Sequence, residues 1–298
     1  MADIKRPNGN DDLYREETHE SALNRVKSAG LLTISLELFE RLYLNPQTQV
    51  KGDLRKIVGN PTPLGLVGFV VGLMPFACNL MGWQHSNIGP NTGAANIGDY
   101  WFIGGPLLLI AGLLEFVLGN TFTFVVFVSY AGIFFCLAAS FQPFYNAAGA
   151  YSESGLNNAE GALTPEFNGS FGFFLIACAI LNVLFTICAT RINVVFVVIF
   201  VGATMGFVLA ASSRWCLANG NVGAAGQLVV VSLLMLTNIQ SFTDLQRGVG
   251  ASWFAISILG WYLLAIQLFT TMGIPAPFPV GDLSGTWAKK TKDAGHEA

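Results

Sequence analysis

The chain is divided into a charged N-terminal segment and a much longer segment that is almost free of charge. The first 56 residues carry nine basic and nine acidic side chains, whereas residues 57–288 carry only three and seven. A helix needs about 20 apolar residues to cross a bilayer. Six runs reach that length, at residues 63–83, 100–118, 122–141, 170–190, 193–212 and 249–270. The sequence therefore predicts an all-α integral membrane protein with six transmembrane helices.

Composition and charge exclude several other classes of function. Only 11% of the residues are charged and the net charge is -3, so no basic patch outside the termini could neutralise nucleic-acid phosphates. No group of His, Cys and carboxylate residues has the spacing of a metal site. We therefore expect no nucleic-acid partner and no metal. We also expect no cofactor and no enzymatic activity.

The charge pattern predicts three regions, namely a cytoplasmic tail at 1–58, a membrane domain at 59–272 and a second cytoplasmic tail at 273–298. An amphipathic helix is expected near residues 31–44, either lying on the membrane or contacting another subunit. Residues 228–240 are apolar but too short to cross a bilayer. We expect them to form a short outer helix, with a seventh span as the alternative.

The topology follows from short linkers and from the distribution of basic residues. Residues 119–121 and 191–192 are short enough to make tight antiparallel hairpins. Lysine and arginine near the span ends concentrate on the side of the N-terminus, and only Arg214 and Arg247 lie opposite. We expect a multi-pass protein of the plasma membrane with both termini cytoplasmic. A glycosylation sequon at Asn168 lies on the outer side but abuts the fourth span, so we expect it to be inaccessible.

Polar residues inside the apolar runs are the candidate functional residues. Glu115 has two interpretations, since it could accept hydrogen bonds from the turn at residues 119–121 or couple transport to protons. Asn120 and Thr121 could cap the third helix or donate hydrogen bonds to an anion. The Tyr130 hydroxyl needs a partner because lipid offers none. Asn182 and Gln267 fit interhelical hydrogen bonds and solute contacts equally well, and no lysine or arginine falls within the predicted spans.

The entry to the first span reads NPTPLGLVGF at residues 60–69. The prolines predict that the helix starts at or just after Pro63, with Asn60 as a local cap. Gly65 and Gly68 would permit close approach of a neighbouring helix or a small solute. Phe69 follows Gly65 by one turn. By itself the stretch fits a capped helix start and a functional segment equally well.

Several of these stretches together resemble the signatures of the acetate uptake transporter family, the succinate-acetate permeases. The matching stretches are NPTPLGL at 60–66, the glycine pair at 104–105 and AGLLEFVLGNTF at 111–122. Further matches are SY at 129–130, GWYLL at 260–264 and, as in fungal members, PVGDLS at 279–284, YLNP at 43–46 and KGDLR at 51–55. The resemblance covers roughly residues 38–284.

The resemblance implies six spans in a ring-like homo-oligomer, a hexamer, with one pathway per subunit for acetate and other small monocarboxylates. It places Asn60, Pro61, Asn120 and Thr121 near the pathway, and Pro63 and Leu64 belong to the same signature. It also places Phe69 and Tyr130 at a narrow hydrophobic constriction, with a third constriction residue near 201–204.

The sequence departs from the family at three places. Leu108 stands where many members have glutamine, the stretch YAGIFF at 130–135 replaces a tyrosine-glycine pair followed by an aromatic-tryptophan pair, and residues 228–240 look like an insertion. The predicted function is a proton-coupled transporter or a channel for acetate and similar acids. The alternatives are a pore for a neutral solute such as ammonia or water, and a non-transporting signalling paralogue.

Overall fold

A computed structural model describes residues 58–86, 93–219 and 242–274, together with Gly281 and Leu283. This part of the chain contains six helices long and apolar enough to cross a membrane. They are α1 (Thr62–Met81), α2 (Gly105–Val117, the last part of the candidate span Ala94–Val117), α3 (Thr121–Phe141), α4 (Pro165–Ala189), α5 (Val194–Ala218) and α6 (Phe242–Thr271). Six candidate spans are thus present in the described residues, as predicted, and the protein is a multi-pass membrane protein. The alternative of a seventh span at 228–240 lies outside these residues.

The helix boundaries follow from local chemistry. Helix α1 begins one residue earlier than expected, at Thr62, and ends at Gly82, whose φ of 74° is favourable for glycine. The turn between α2 and α3 likewise uses Gly119 with a φ of 78°. At the start of α5, the Asn193 side chain accepts a hydrogen bond from the Phe196 amide at 2.8 Å and so caps the helix. Helix α5 can therefore begin a few residues after α4 ends, as the predicted tight hairpin requires.

Four segments depart from the predicted boundaries. Helix α6 begins at residue 242 rather than 249. The chain enters α2 through a 3-10 turn at Ala94–Asn96, a helical turn at Ile97–Asp99 and a π-helical turn at Tyr100–Gly104, so helical structure begins before the predicted start of the span at residue 100. Helix α4 begins at residue 165 rather than 170, because Thr164 caps its first turn. Helix α5 continues to residue 218 rather than 212, with consequences for Arg214.

Among the described helices, α1 packs against α2 and α6, α2 packs against α3, and α5 packs against α4 and α6. Helices α3 and α4 meet through the Phe122 and Phe185 rings, whose centroids are 6.1 Å apart. Glycines allow close approach at two contacts. A Cβ at Gly72 of α1 would lie 3.2 Å from the Gly104 backbone, and one at Gly206 of α5 would lie 1.9 Å from the indole nitrogen of Trp253 in α6.

Large apolar side chains cover the outward faces of the helices, as a lipid environment or a subunit contact requires. Phe102, Phe116 and Phe173 are 79%, 64% and 69% exposed. After α6, the Gly281 carbonyl accepts a hydrogen bond from Val194 at 2.9 Å, so the chain returns to the hairpin between α4 and α5. The expected helices near 31–44 and 228–240 and most of the two tails lie outside the described residues.

Candidate functional site

A small apolar cavity lies in the middle of the bundle, and we call it the central cavity. It leaves about 30 Å³ of room for a water-sized group, enough for one or two water molecules. Only Tyr130 and Trp253 among its lining side chains carry a polar atom. The lining residues are Phe69, Leu73, Phe76, Tyr130, Ile133, Phe134, Leu137, Leu175, Ala203, Phe207, Trp253 and Ile256.

Phe69 and Tyr130 meet edge to face at this cavity, with ring centroids 5.8 Å apart and planes inclined at 73°. Both side chains are at least nine-tenths buried. A Cβ at Gly260 of α6 would lie 3.0 Å from the Phe69 ring, so Phe69 has α6 directly behind it. The structure therefore brings together the two aromatic residues that the resemblance placed at a constriction. Within the expected range 201–204, Ala203 lines the cavity.

The Tyr130 hydroxyl finds its partner on the neighbouring helix. It donates to Asn182 Oδ1 of α4 at 2.5 Å, and the Asn182 amide donates in turn to the Cys178 carbonyl at 2.9 Å. Asn182 is fully buried. Its interhelical hydrogen bond therefore holds the ring of Tyr130 against Phe69. Gln267, the other polar candidate, is also buried, and its Oε1 has no hydrogen-bond partner among the described residues.

Glu115 lies at the end of the bundle where α1 begins, and its two carboxylate oxygens have different partners. The Thr62 hydroxyl donates to one oxygen and the Asn120 side-chain amide donates to the other. All three side chains, which we call the polar cluster, are at most 4% exposed. The cluster ties the start of α1 to the turn between α2 and α3. The expected contact of Glu115 with that turn is present, through the side chain of Asn120.

The other residues expected near the pathway surround this cluster unevenly. Asn60 Oδ1 accepts from the Thr62 amide at 3.0 Å, as a local cap would, and Asn60 Nδ2 is buried without a partner in the described segments. Pro61 is buried, and Pro63 and Leu64 are half-buried. Thr121 is exposed. Asn120 occupies the cap position of α3 but makes no side-chain cap bond there, so the capping interpretation of that side chain is wrong.

A second cavity lies at the opposite end of the bundle, and we call it the arginine cavity. Its walls include Ser213, Arg214 and Gln246, and it leaves about 30 Å³ of room. Four side chains, Phe76, Leu137, Leu175 and Trp253, line both cavities. The two cavities are therefore neighbours, and these four side chains lie between them.

Arg214 is the main residue that sequence reasoning missed, because we expected the fifth span to end at residue 212. It is only 6% exposed. Its Nη1 donates to Asn168 Oδ1 at 3.3 Å, and its guanidinium carbon lies 5.3 Å from the centroid of the Phe171 ring. The Asn168 amide donates to the carbonyls of Ala162 and Thr164 at 2.8 and 2.9 Å. The apolar residues that continue after Arg214 were the available signal of a longer helix.

Comparison with known proteins agrees with this architecture. Protein alcS of Aspergillus fumigatus is 38% identical over 277 residues, which cover 93% of this chain and 94% of that protein. Acetate transporter protein patA of Aspergillus clavatus is 25% identical, with coverages of 78% and 81%. Ammonia transport outward protein 2 of Saccharomyces cerevisiae is 29% identical, with coverages of 64% and 69%.

A solved structure, that of the bacterial acetate channel SatP, shares the fold. Its TM-score is 0.53 at 21% identity, and the match covers 75% of this chain and 99% of SatP. The GPR1/FUN34/yaaH family matches residues 43–283, which include every described element. Together with the similarity to alcS, this match shows that the chain belongs to the GPR1/FUN34/yaaH family.

Proposed function

We propose that the protein is a transporter or channel for acetate and similarly small monocarboxylates. The observation that carries the proposal is the central cavity, an apolar space in the bundle that is bounded by the edge-to-face contact of Phe69 with Tyr130. Hydrophobic constrictions of this kind exclude water and larger solutes. The acetate transporter patA among the relatives supports the choice of substrate.

The lining of the central cavity favours passage of the protonated acid. A carboxylic acid titrates near pH 4 to 5, so protonating it at pH 7 requires about 3 kcal/mol. Moving the bare anion into an apolar region requires several kcal/mol even after relaxation. Because no charged side chain lines this cavity, protonation is the less costly route, and transport of the acid is then equivalent to proton symport.

Glu115 is the acidic residue that we propose for proton coupling. It is fully buried in the polar cluster and accepts from two neutral donors, Thr62 and Asn120. The competing role is to hold the α1 entry against the turn after α2. Glu115→Gln keeps the shape and an amide oxygen but cannot bind and release a proton. Proton coupling predicts lost acidification-driven uptake with a normal amount of folded protein, whereas a holding role predicts little change in uptake.

The test of the proposed function is uptake of labelled acetate into vesicles that contain the purified protein, with acidic medium outside. Uptake above that of empty vesicles is expected. Phe69→Ala and Tyr130→Ala should then raise lactate uptake relative to acetate uptake. Phe102→Ala is the matched control, since it removes the same ring from a side chain that is 79% exposed. An unchanged ratio in both variants would remove the constriction assignment.

A neutral-solute pore is the second candidate function. The apolar lining of the central cavity suits ammonia as well as an undissociated acid, and one relative is an ammonia transport protein. The same vesicles distinguish the two solutes if internal pH is recorded, because ammonia entry raises it and acetic acid entry lowers it. A response to ammonia without one to acetate would reverse the ranking, and a response to neither would favour a signalling role.

We further propose a plasma-membrane location, cytoplasmic termini and a ring-like homo-oligomer, a hexamer. The exposed Phe116 and Phe173 provide apolar surface that subunit contacts could cover. Mass measurement in detergent that retains bound lipid should give six copies, and a monomer would contradict the proposal.

A C-terminal tag should be reached by antibody only after cells are permeabilised, and labelling of intact cells would overturn the topology.

A further inference from the structure

Trp253 of α6 lies between the two cavities of the bundle. Its side chain is 5% exposed and lines both the central cavity and the arginine cavity. It is the largest of the four side chains that the two cavities share. Neither the contact of Phe69 with Tyr130 nor the polar cluster includes it. The indole therefore occupies a central position in the bundle for which the proposed constriction gives no role.

Two aromatic rings from other helices pack against the indole. The Phe76 ring of α1 lies 5.5 Å from it, centroid to centroid, with the planes inclined at 41°. The Phe207 ring of α5 lies 5.2 Å from it, with the planes inclined at 68°. Inclined ring pairs at these separations are favourable beyond the area that they bury. Phe76, Phe207 and Trp253 thus form one set of rings from three helices, which we call the aromatic group.

Helix α5 leaves space for the indole. A Cβ at Gly206 would lie 1.9 Å from the indole nitrogen, so the ring fills the space that a side chain at residue 206 would need. Ala203 precedes Gly206 by one turn on the same helix face, and it is the residue within 201–204 that lines the central cavity. The resemblance placed a third constriction residue in that range, but the large side chain at the cavity comes from α6 instead.

The aromatic group is separate from the contact of Phe69 with Tyr130. Phe76 follows Phe69 by seven residues on α1, and because a helix rises about 1.5 Å per residue, the two residues lie about 10 Å apart along its axis. Both line the central cavity. The central cavity is thus bounded by Phe69 and Tyr130 at one position and by the aromatic group at another, on the side of the arginine cavity.

We propose that the aromatic group is a second hydrophobic constriction, in which Trp253 sets the size of solute that passes between the arginine cavity and the central cavity. Each cavity leaves about 30 Å³ of room, enough for one or two water molecules. A larger solute must therefore displace the side chains between them, of which the indole is the largest. The inference deepens the proposed function, on which it rests, by adding a second barrier that excludes water and large solutes.

The first test measures access to the central cavity and does not depend on transport. Ala203→Cys places a thiol in that cavity, and mass measurement follows its reaction with a small methanethiosulfonate reagent in detergent-solubilised full-length protein. The parent protein with its five native cysteines gives the background. Adding Trp253→Ala should raise the rate of reaction at residue 203 severalfold, because it opens the cavity on the side of the arginine cavity. An unchanged rate would overturn the proposal.

Two further variants distinguish a barrier from general loosening of the bundle. Phe185→Ala removes a ring that is also 5% exposed but lines neither cavity, so it should leave the rate unchanged. Gly206→Leu, combined with Trp253→Ala, refills the vacated space from α5 and should slow the reaction again. A rate that rises equally in Phe185→Ala, or that Gly206→Leu does not lower, would show that Trp253 only packs. If Trp253→Ala yields no folded protein, Trp253→Leu replaces it, with the same expected results.

The second test measures selection by size in the vesicles used for acetate uptake. Propionate is larger than acetate by one methylene. Because the two constrictions lie in series, the one that remains still limits the larger acid, so Trp253→Ala is compared in the Phe69→Ala background. It should raise the ratio of propionate to acetate uptake by about tenfold, the scale on which an apolar pocket discriminates one methylene. An unchanged ratio would contradict a role of Trp253 in selection.

The two tests allow this inference and the proposed function to fail independently. Faster thiol reaction in Trp253→Ala, in a protein that takes up no acetate, would support the second constriction and refute the proposed function. Acetate uptake by the wild type, with an unchanged thiol reaction in Trp253→Ala, would support the proposed function and refute the second constriction.

Discussion

The hydrogen bond between Tyr130 and Asn182 gives the sharpest test of how the constriction is held. Tyr130→Phe removes only the hydroxyl, so the ring that meets Phe69 at 5.8 Å remains. Asn182→Ala removes the acceptor on α4. We expect each variant to lower the free energy of unfolding, because the bond joins two buried side chains at 2.5 Å.

The magnitude follows from burial and environment. Leaving a buried acceptor unpaired in a soluble core lowers stability by about 1–3 kcal/mol. In membranes the coupling is smaller, about 0.6 kcal/mol on average and about 1.7 at most. Because Asn182 is 0% exposed and keeps its own bond to the Cys178 carbonyl at 2.9 Å, it cannot turn away to find another donor. We therefore expect a coupling of about 1 to 1.5 kcal/mol, in the upper part of the membrane range.

The measurement is a double-mutant cycle, with unfolding free energies determined for the wild type, the two single variants and the double variant in the same detergent. The double variant should be destabilised by less than the sum of the single ones. Tyr130→Phe should also keep the lactate-to-acetate uptake ratio of the wild type, since the ring is retained. Additive effects within about 0.3 kcal/mol would show that the bond does not stabilise the constriction.

Two further predictions concern the polar cluster and the packing of α5 against α6. Glu115→Leu should destabilise the protein by about 2 kcal/mol or more, because Thr62 and Asn120 would each lose the hydrogen bond to Glu115 in a buried site. A loss below about 1 kcal/mol in unfolding free energy would contradict a holding role. Gly206→Ala should lower the yield of folded protein and acetate uptake, because its Cβ would lie 1.9 Å from Trp253, whereas Gly132→Ala, which meets nothing within 4 Å, should behave as the wild type in both assays.

The six spans of the described residues were predictable from the sequence, because a run of about 20 apolar residues without charge can be recognised without knowing what packs against it. The start of α1 was placed within one residue, since proline restricts the backbone around it whatever packs nearby. The placement of Phe69 beside Tyr130 was not derivable from spacing alone. The resemblance placed both residues at a constriction, and the structure shows their rings in contact.

The missed features depend on contacts between residues far apart in sequence. Arg214 looked like the end of a span because charge usually ends an apolar run, but Asn168 and Phe171 at the start of α4 accommodate it inside the bundle. Asn120 had two plausible local partners, the amides of α3 and the side chain of Glu115. In the structure Asn120 donates to Glu115, and so does Thr62, which is distant in sequence. No local sequence pattern reveals that the start of α1 packs at this point.

The burial of Asn168 makes its sequon incompatible with the folded bundle. Its side chain is 0% exposed, and its amide nitrogen, the atom to which a sugar would be attached, already donates to the carbonyls of Ala162 and Thr164. A glycan there would replace one of the two N–H donors, and it would have to occupy a site where the side chain is fully buried next to Arg214. Modification and correct assembly are therefore mutually exclusive at this residue, so a glycosylated form would mark molecules arrested during biosynthesis before α4 docks.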